Sequence, residues 1–405
     1  MSDHDEPRQR ERLLSLRTVP LPDPEEDFTA DPAELFFDLT FVFAFSRLVH
    51  LLVHDPTWEG VGTFVLLFAM IWLPWQQFTW SANAVPGNSR PVRLLFMVAT
   101  VASIPMAASV TSALEGGGPV FVAMLSVILA IALFTMIAGT PPGSELRASI
   151  LGYSVPNWVA IALMAAGAFA DGGVRVGLWI AAIAVVLIGT IRAGSDAWLI
   201  RPGHFAERHG LLIIVALGEV IVAIGLPVVE LLGDGAGLSG EAIGALVAAG
   251  CFAVLLWWSY FDRINPALEH RHREIDDGTA SGRYARDVYT WWHFPIIGGL
   301  IVAAAALEEI TLHPSAPLPA AFRWMMFVGL GGYLVASVGA IVRAFRSVPL
   351  ERLVATVILG ALLAFGGGLD GLLLLIAVDV VLVATLVGEH FRVEVRHRTS
   401  GPDAG

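Results

Sequence analysis

Two acidic residues one helical turn apart open the first apolar stretch of the chain, Glu34-Leu-Phe-Phe-Asp38-Leu-Thr-Phe-Val-Phe-Ala-Phe-Ser46-Arg47-Leu-Val-His50. At about 100° per residue, Glu34, Asp38, Phe41 and Phe45 share one stripe, with Arg47, His50 and His54 nearly opposite. Carboxylates so spaced can hold a proton or cation, or pair with a base on a neighbouring helix. A charge at mid-bilayer costs roughly 2.5–3.5 kcal/mol, so each needs a partner or a wet cavity. A helix polar on two faces can turn neither toward lipid, which places it in the centre of a bundle. Glu34 is expected at headgroup level, beside the helix N-terminus. Asp38, one turn deeper, is expected to be buried and paired.

A second acidic pair lies at Glu207-Arg208-His-Gly-Leu-Leu-Ile-Ile-Val-Ala-Leu-Gly218-Glu219. Glu219 falls about 18 Å beyond Glu207 along a helix axis, near the midplane. Gly218 permits close approach of another helix. Arg47 has nearly the same depth on the first span, so Arg47 and Glu219 are expected to pair, directly or through water. That pair is either a structural tie between helices or a substrate- or proton-binding site. Asp379, ringed by Val and Leu, and Asn157, after Pro156, complete the expected ion or substrate pathway. A proline inside a helix frees a backbone carbonyl for a side chain or ligand.

A further polar group, Arg93, Arg192, Asp196, Arg208, Asp262, Arg286 and His293, falls at helix ends on one side. With Glu34, the residues Arg93, Arg208 and His293 form the expected cytoplasmic cluster, read mainly as interfacial anchors. Trp72, Trp75, Trp80, Trp257, Trp258, Trp291 and Trp292 gather on that side as an aromatic belt. His50 and His54, four residues apart beside Asp55, could bind a divalent metal at the outer surface, although a lone pair of this sort is a weak signal. The chain has one cysteine, Cys251, which excludes an intrachain disulfide and a cysteine-based metal site. All 24 basic residues are arginine, which excludes Schiff-base lysine chemistry. No phosphate loop, nucleophile elbow or metalloprotease motif is present, and no metal or cofactor is expected.

The elements that carry these residues follow from composition. The 405 residues are 56% hydrophobic and 15% charged, with a mean hydropathy of +0.71; soluble chains carry roughly 25% charged residues. Apolar runs of the length that crosses a hydrocarbon core of about 30 Å lie at 34–54, 60–80, 92–113, 119–139, 147–170, 175–194, 209–231, 242–262, 287–307, 320–341, 351–365 and 370–388. The fold expected is an all-α, polytopic bundle of about twelve transmembrane helices. The run at 351–365 is short and followed by Gly366, Gly367 and Gly368.

Arginine placement sets orientation. With the N-terminus in the cytoplasm, nearly all of the 24 arginines fall inside. Arg175 and Arg323 fall outside and Arg47 lies within a span. The outer loops carry Glu115, Glu230, Asp234, Glu308 and Glu309. Both termini are therefore expected in the cytoplasm. Residues 1–30 read as a disordered cytosolic tail, 31–200 and 201–390 as two six-helix halves, and 391–405 as a cytosolic tail. Glu34 against Glu207, and Arg93 before Pro105 against Arg283 before Pro295, suggest that the halves are parallel repeats. The net charge of −12 belongs to loops and tails, and with no basic face nucleic acid is excluded as a partner. The partners expected are membrane lipids and a small solute or ion, with a homo-oligomer left open.

The stretch Glu34-Leu-Phe-Phe-Asp38-Leu-Thr-Phe-Val-Phe-Ala44, with Glu207 through Ile224 and His293-Phe-Pro295-Ile-Ile-Gly298 closed by Leu307-Glu308, resembles the bacterial low temperature requirement protein A family. The resemblance covers about 34–390. Where the family pattern has His-Leu-Pro, this chain has His293-Phe-Pro295. It implies a multi-pass bacterial inner-membrane protein associated with growth in the cold, with Glu34, Asp38, Glu219 and His293 at the family positions. It carries over no biochemical activity. Three functions are weighed: a secondary transporter or proton/ion channel, favoured; a structural or regulatory protein of cold adaptation acting through lipids or partners; and an intramembrane lipid-modifying enzyme, with Asp38, Arg93, Arg208, Asp262 and His293 as its cluster.

Overall fold

The computed structural model describes residues 30–85, 89–193, 200–232 and 237–399. The expected tail up to residue 29, with Arg8, Arg10, Arg12 and Arg17, lies outside the described residues, as do Asp196 (hence its pairing with Arg192), Asp234 and residues 400–405.

The described residues are helical, apart from loops and one isolated bridge between Pro317 and Asp370. In hydrocarbon a backbone must satisfy its own polar groups, and a helix does so within one segment. The helices are α1 (Pro32–His54), α2 (Trp58–Ala84), α3 (Arg90–Ala108), α4 (Gly118–Gly139), α5 (Glu145–Ala168), α6 (Gly172–Ala193) and α7 (Pro202–Leu232). Next, α8 (Gly240–Trp258) passes through a π-helical turn, Ser259–Ile264, into α9 (Asn265–Arg273). In the same way α10 (Gly278–Ala285) passes through Arg286–Trp292 into α11 (His293–Leu312), and α12 (Ala320–Met326) through Phe327–Gly331 into α13 (Gly332–Phe345). The chain ends with α14 (Leu350–Phe365) and α15 (Gly371–Thr399). The last helix thus continues well into the expected C-terminal tail.

Among the described residues, eleven helical segments are long and apolar enough to cross a membrane. The remaining one, α14, has 16 residues and spans about 24 Å at 1.5 Å per residue. The bundle is polytopic and all-α, as the apolar run lengths predict. Polar caps start several helices: Ser89, Ser144, Ser239 and Asp277 each accept a hydrogen bond from the backbone N–H three residues on.

The helices group into two compact units. The first holds residues up to Leu51, Trp58–Val215 and Glu269–Phe294; the second holds Leu52–Thr57, Ala216–Leu268 and the chain from Pro295 on. The units interleave along the sequence, which the halves 31–200 and 201–390 do not.

Within the first unit α5 and α6 pack closely. A Cβ on Gly189 would lie 2.5 Å from the Pro156 ring, and one on Gly167 would lie 2.6 Å from the Trp179 indole. Trp179 Nε1 donates to the Met164 carbonyl at 3.2 Å. Within the second unit α11 and the Phe327–Gly331 turn meet backbone to backbone: a Cβ on Gly299 would lie 2.5 Å from the Gly329 carbonyl oxygen.

The two arginines assigned to the outer side both satisfy carbonyls at chain turns. Arg175 donates to Ala170, Ala113 and Glu115. Arg323 donates to Leu318 at 2.7 Å and to Leu363 in the last turn of α14 at 3.1 Å. A Cβ on Gly367 would lie 3.0 Å from the Arg323 guanidinium, which gives the glycine run after α14 a physical reason.

Candidate functional site

Helices α1 and α7 bring two matched pairs together within the first unit. Glu34 and Asp38 are one turn apart on α1, and His204 and Arg208 are one turn apart on α7. Residues at this spacing share a helix face, so the pairs meet rung against rung. Arg208 Nη1 donates to Glu34 Oε2 at 2.7 Å, and Nη2 donates to Asp38 Oδ1 at 2.7 Å. His204 Nε2 lies 2.9 Å from Glu34 Oε2. From α2, Trp75 Nε1 donates to Asp38 Oδ1 at 2.8 Å, and the Arg208 guanidinium carbon lies 5.7 Å from the Trp75 ring centre. Glu34, His204, Arg208 and Trp75 are 0% exposed, and Asp38 is 1% exposed.

Glu34 is therefore a buried, ion-paired group. Arg208 is its partner. Arg208 Nε and Asp38 Oδ2 are buried and make no hydrogen bond, so the cluster keeps one donor and one acceptor in reserve.

A second layer lies beside this one. His209 follows Arg208 on α7, and its Nδ1 is 2.8 Å from the Phe205 carbonyl. His293 Nδ1 is 2.9 Å from the Val288 carbonyl, five residues back. The wide turn Arg286–Trp292 exposes that carbonyl, as π-helical insertions do. A carbonyl only accepts, so each Nδ1 carries the proton and each neutral ring keeps its lone pair on Nε2. His209 Nε2 is 3.0 Å from Gln76 Nε2, and Thr290 Oγ1 donates to Gln76 Oε1 at 3.2 Å. The His209 and His293 ring centres are 4.9 Å apart.

Nearer the chain ends, Arg93 Nη2 and Asp31 Oδ2 form an ion pair at 2.7 Å, and Ala30 N donates to Glu207 Oε2 at 2.7 Å. Of the expected pathway residues, Asp38 belongs to the cluster. Arg47 donates to Thr111 Oγ1 at 2.9 Å. Glu219 is 1% exposed and falls in the second unit, so its pairing with Arg47 stays a sequence expectation. Asn157 is fully buried and donates to the Tyr153 carbonyl at 3.0 Å; the Tyr153 hydroxyl accepts from Gln77. Asp379 is 9% exposed on α15, and its Oδ1 makes no hydrogen bond.

The second unit holds a polar centre that sequence reasoning passed over. Arg352, in the first turn of α14, forms a two-point ion pair with Glu389 of α15, at 2.6 and 3.1 Å. Arg352 Nη2 also reaches the Ser259 carbonyl at 3.4 Å, and Tyr333 donates to Ser259 Oγ at 3.0 Å. Ser259 opens another wide turn. The same reading missed His204 and His209, although the spacing of His204 and Arg208 repeats that of Glu34 and Asp38.

A family model described as bacterial low temperature requirement A protein matches residues 29–387. The chain is also 30% identical over 300 residues, 69% of either chain, to an uncharacterized protein of Rhizobium meliloti (strain 1021). No solved structure matches it. The matched span takes in nearly all of the described helices, from the Glu34–Asp38 turn to within two residues of Glu389. The chain is a multi-pass membrane protein and belongs to the bacterial low temperature requirement A family.

Proposed function

We propose that this protein is a secondary transporter or proton/ion channel of the bacterial inner membrane, with both termini in the cytoplasm, and that Glu34, Asp38, His204 and Arg208 form its ion-binding element. Charge balance carries the reading. With a neutral His204, two carboxylates against one guanidinium leave the buried cluster one positive charge short. An uncompensated charge in a medium of low polarizability is costly. One exchangeable cation, a proton in the simplest case, brings the sum to zero, and its departure restores the deficit. Such a cluster suits loading and release. The unused Asp38 Oδ2 and Arg208 Nε offer places for the incoming group to bind.

A structural or regulatory role in cold adaptation is the second reading. The tight pairing of Arg208 with both carboxylates favours it, since such a network also serves to fix two helices in register. The intramembrane enzyme reading needs residues open to lipid; of its cluster Arg93 and Asp262 are exposed, and the full burial of Asp38, Arg208 and His293 weighs against it.

The test is ion flux in proteoliposomes that contain a pH-sensitive dye, under proton, sodium and potassium gradients in turn. Wild-type flux that is lost in a well-folded Asp38→Asn supports transport through this cluster. Absence of flux under every gradient favours the structural reading.

A further inference from the structure

Between Gly371 and Gly388, α15 has a single ionisable residue, Asp379. At 1.5 Å per residue it lies about 12 Å from the start of the helix and about 15 Å from Glu389. That is mid-depth for a hydrocarbon core of about 30 Å. Its Oδ1 is buried and makes no hydrogen bond, and among the described residues no ion pair reaches it. Around the helix Leu375, Val378 and Leu382 are buried, whereas Ile376, Val380 and Val383 are exposed. A step of four residues turns the helix by about 40°. Asp379 therefore falls between Leu375 and Val383, on the seam between the packed stripe and the open one.

The helices packed against α15 are α8 and α14, and neither brings a cation to this depth. A Cβ on Gly244 of α8 would lie 3.2 Å from the Leu372 side chain. At the other end of both helices, Arg352 joins the Ser259 carbonyl to Glu389. Thus α8 and α15 run side by side in the same direction. Asp379 is two turns beyond Leu372 on the same stripe, which sets it level with Cys251, two turns beyond Gly244. Cys251 is the one titratable residue of α8 at that level; the charged residue of this helix is Glu241, in its first turn. On α14 the charged residues are Glu351 and Arg352, also in the first turn, and Arg352 is committed to Glu389. On α15 itself Glu389, His390 and Arg392 lie beyond Gly388. Packing gives no reason for an acid here, since leucine fills such a seam without the cost of burying polar atoms.

We propose that Asp379 is a proton-binding carboxyl at the lipid seam of the second unit, which holds a proton in the resting protein and exchanges it with the medium. An isolated carboxylate is costly at mid-bilayer, and the neutral acid avoids that cost. A metal ion in place of the proton would need several ligands, and among the described residues no group of acidic, histidine or cysteine side chains could hold one. The inference goes beyond the transport reading and stands without it, because it concerns a different residue in the other unit and is read without ion flux.

The test is chemical labelling in proteoliposomes with dicyclohexylcarbodiimide, an apolar reagent that enters the bilayer, followed by mass spectrometry of the α15 peptides. The reagent modifies the protonated acid. A carboxyl oxygen adds to its central carbon as the acid proton moves to one nitrogen, and the acyl group then shifts to the other nitrogen. The whole reagent stays attached and nothing leaves. The expected result is labelling of Asp379 at neutral pH that falls by about tenfold or more between pH 7 and pH 9. A water-soluble, cationic carbodiimide is expected to leave Asp379 unmodified, and Glu389, paired with Arg352, is expected to stay unlabelled by the apolar reagent. Asp379→Asn, whose amide matches the neutral acid in shape, is expected to fold as wild type and to lose the label. No label at neutral pH, or equal labelling by the water-soluble reagent, overturns the protonated seam site. A label that does not change up to pH 9 overturns the exchange.

Discussion

Arg208 holds Asp38 at 2.7 Å with one guanidinium nitrogen and Glu34 at 2.7 Å with another. One side chain therefore ties two successive turns of α1 to α7. Both helices show the same four-residue step, so the contact fixes their register as well as their separation.

Removal of only the arginine leaves two buried carboxylates without their cation, with His204 on Glu34 and the Trp75 indole on Asp38 as the remaining contacts. Arg208→Gln is expected to lower stability by about 3–5 kcal/mol, the range for breaking one side of a buried pair. The combined replacement Glu34→Met, Asp38→Leu and Arg208→Met removes all three charges at once and is expected to recover part of that loss, since His204 and Trp75 stay buried without their acceptors. Thermal unfolding in detergent checks the order of the two variants. The triple variant also separates the two proposed roles: under the transport reading it folds but carries no ions. Stability lost equally in both variants would point to backbone dependence on these residues and away from a pairing effect.

Trp75→Phe tests the third contact on Asp38. The ring volume is largely kept and one buried hydrogen bond to a charged group is lost, an effect of about 1.5–3 kcal/mol. The same substitution in Trp257, an indole 47% exposed, is expected to change stability far less. Detergent melting curves of the two variants give the comparison.

The bilayer sets the length of an apolar run, which is why the order and number of spans are legible in the sequence. Helix α14 falls short of that length and is legible only with the glycines after it. The Glu34–Asp38 step on α1 is visible as spacing, but its partner is not, because Arg208 lies 170 residues from Asp38 and near a helix start, where arginines commonly anchor to the interface. Comparison of four-residue steps between spans would have matched Glu34 and Asp38 with His204 and Arg208. Nothing comparable marks the second layer. His209 and His293 meet because a π-helical turn shifts the face of the helix around Arg286–Trp292, and one extra residue per turn leaves no periodic trace in a uniformly apolar and aromatic segment. Trp75 reads as belt for a similar reason: tryptophan at a helix end fits the interface equally well.

The Gly299–Gly329 crossing in the second unit carries a steric prediction. A methyl group at Gly329 would lie 2.6 Å from the Ala303 backbone nitrogen and 2.7 Å from the Gly299 oxygen, and backbone cannot yield as a flexible side chain can. Gly329→Ala and Gly299→Ala are each expected to cost about 1–3 kcal/mol through overpacking. Gly332→Ala, three residues on, meets nothing within 4 Å and is expected to be neutral or slightly stabilising, since alanine is the better helix former. Yield and melting temperature of the three variants in one detergent measure the contrast.

Arg346 is the one described non-glycine residue with positive φ, at 53°, and it ends α13 with its N–H bonded to the Val342 carbonyl at 2.8 Å. A left-handed residue at this position closes a helix by satisfying a terminal carbonyl. The geometry favours glycine, because a Cβ there crowds the following carbonyl at a cost of roughly 1–2 kcal/mol. The Arg346 side chain is exposed, and among the described residues no ion pair holds it. Arg346→Gly is therefore expected to raise stability by about 1 kcal/mol, offset in part by the greater freedom of glycine in the unfolded chain. Arg346→Val is expected to do the reverse, because a β-branched side chain tolerates positive φ least. A glycine variant less stable than wild type would mean that the arginine acts through its charge, as an interfacial anchor beside Arg343, and high salt would then be expected to erase the difference.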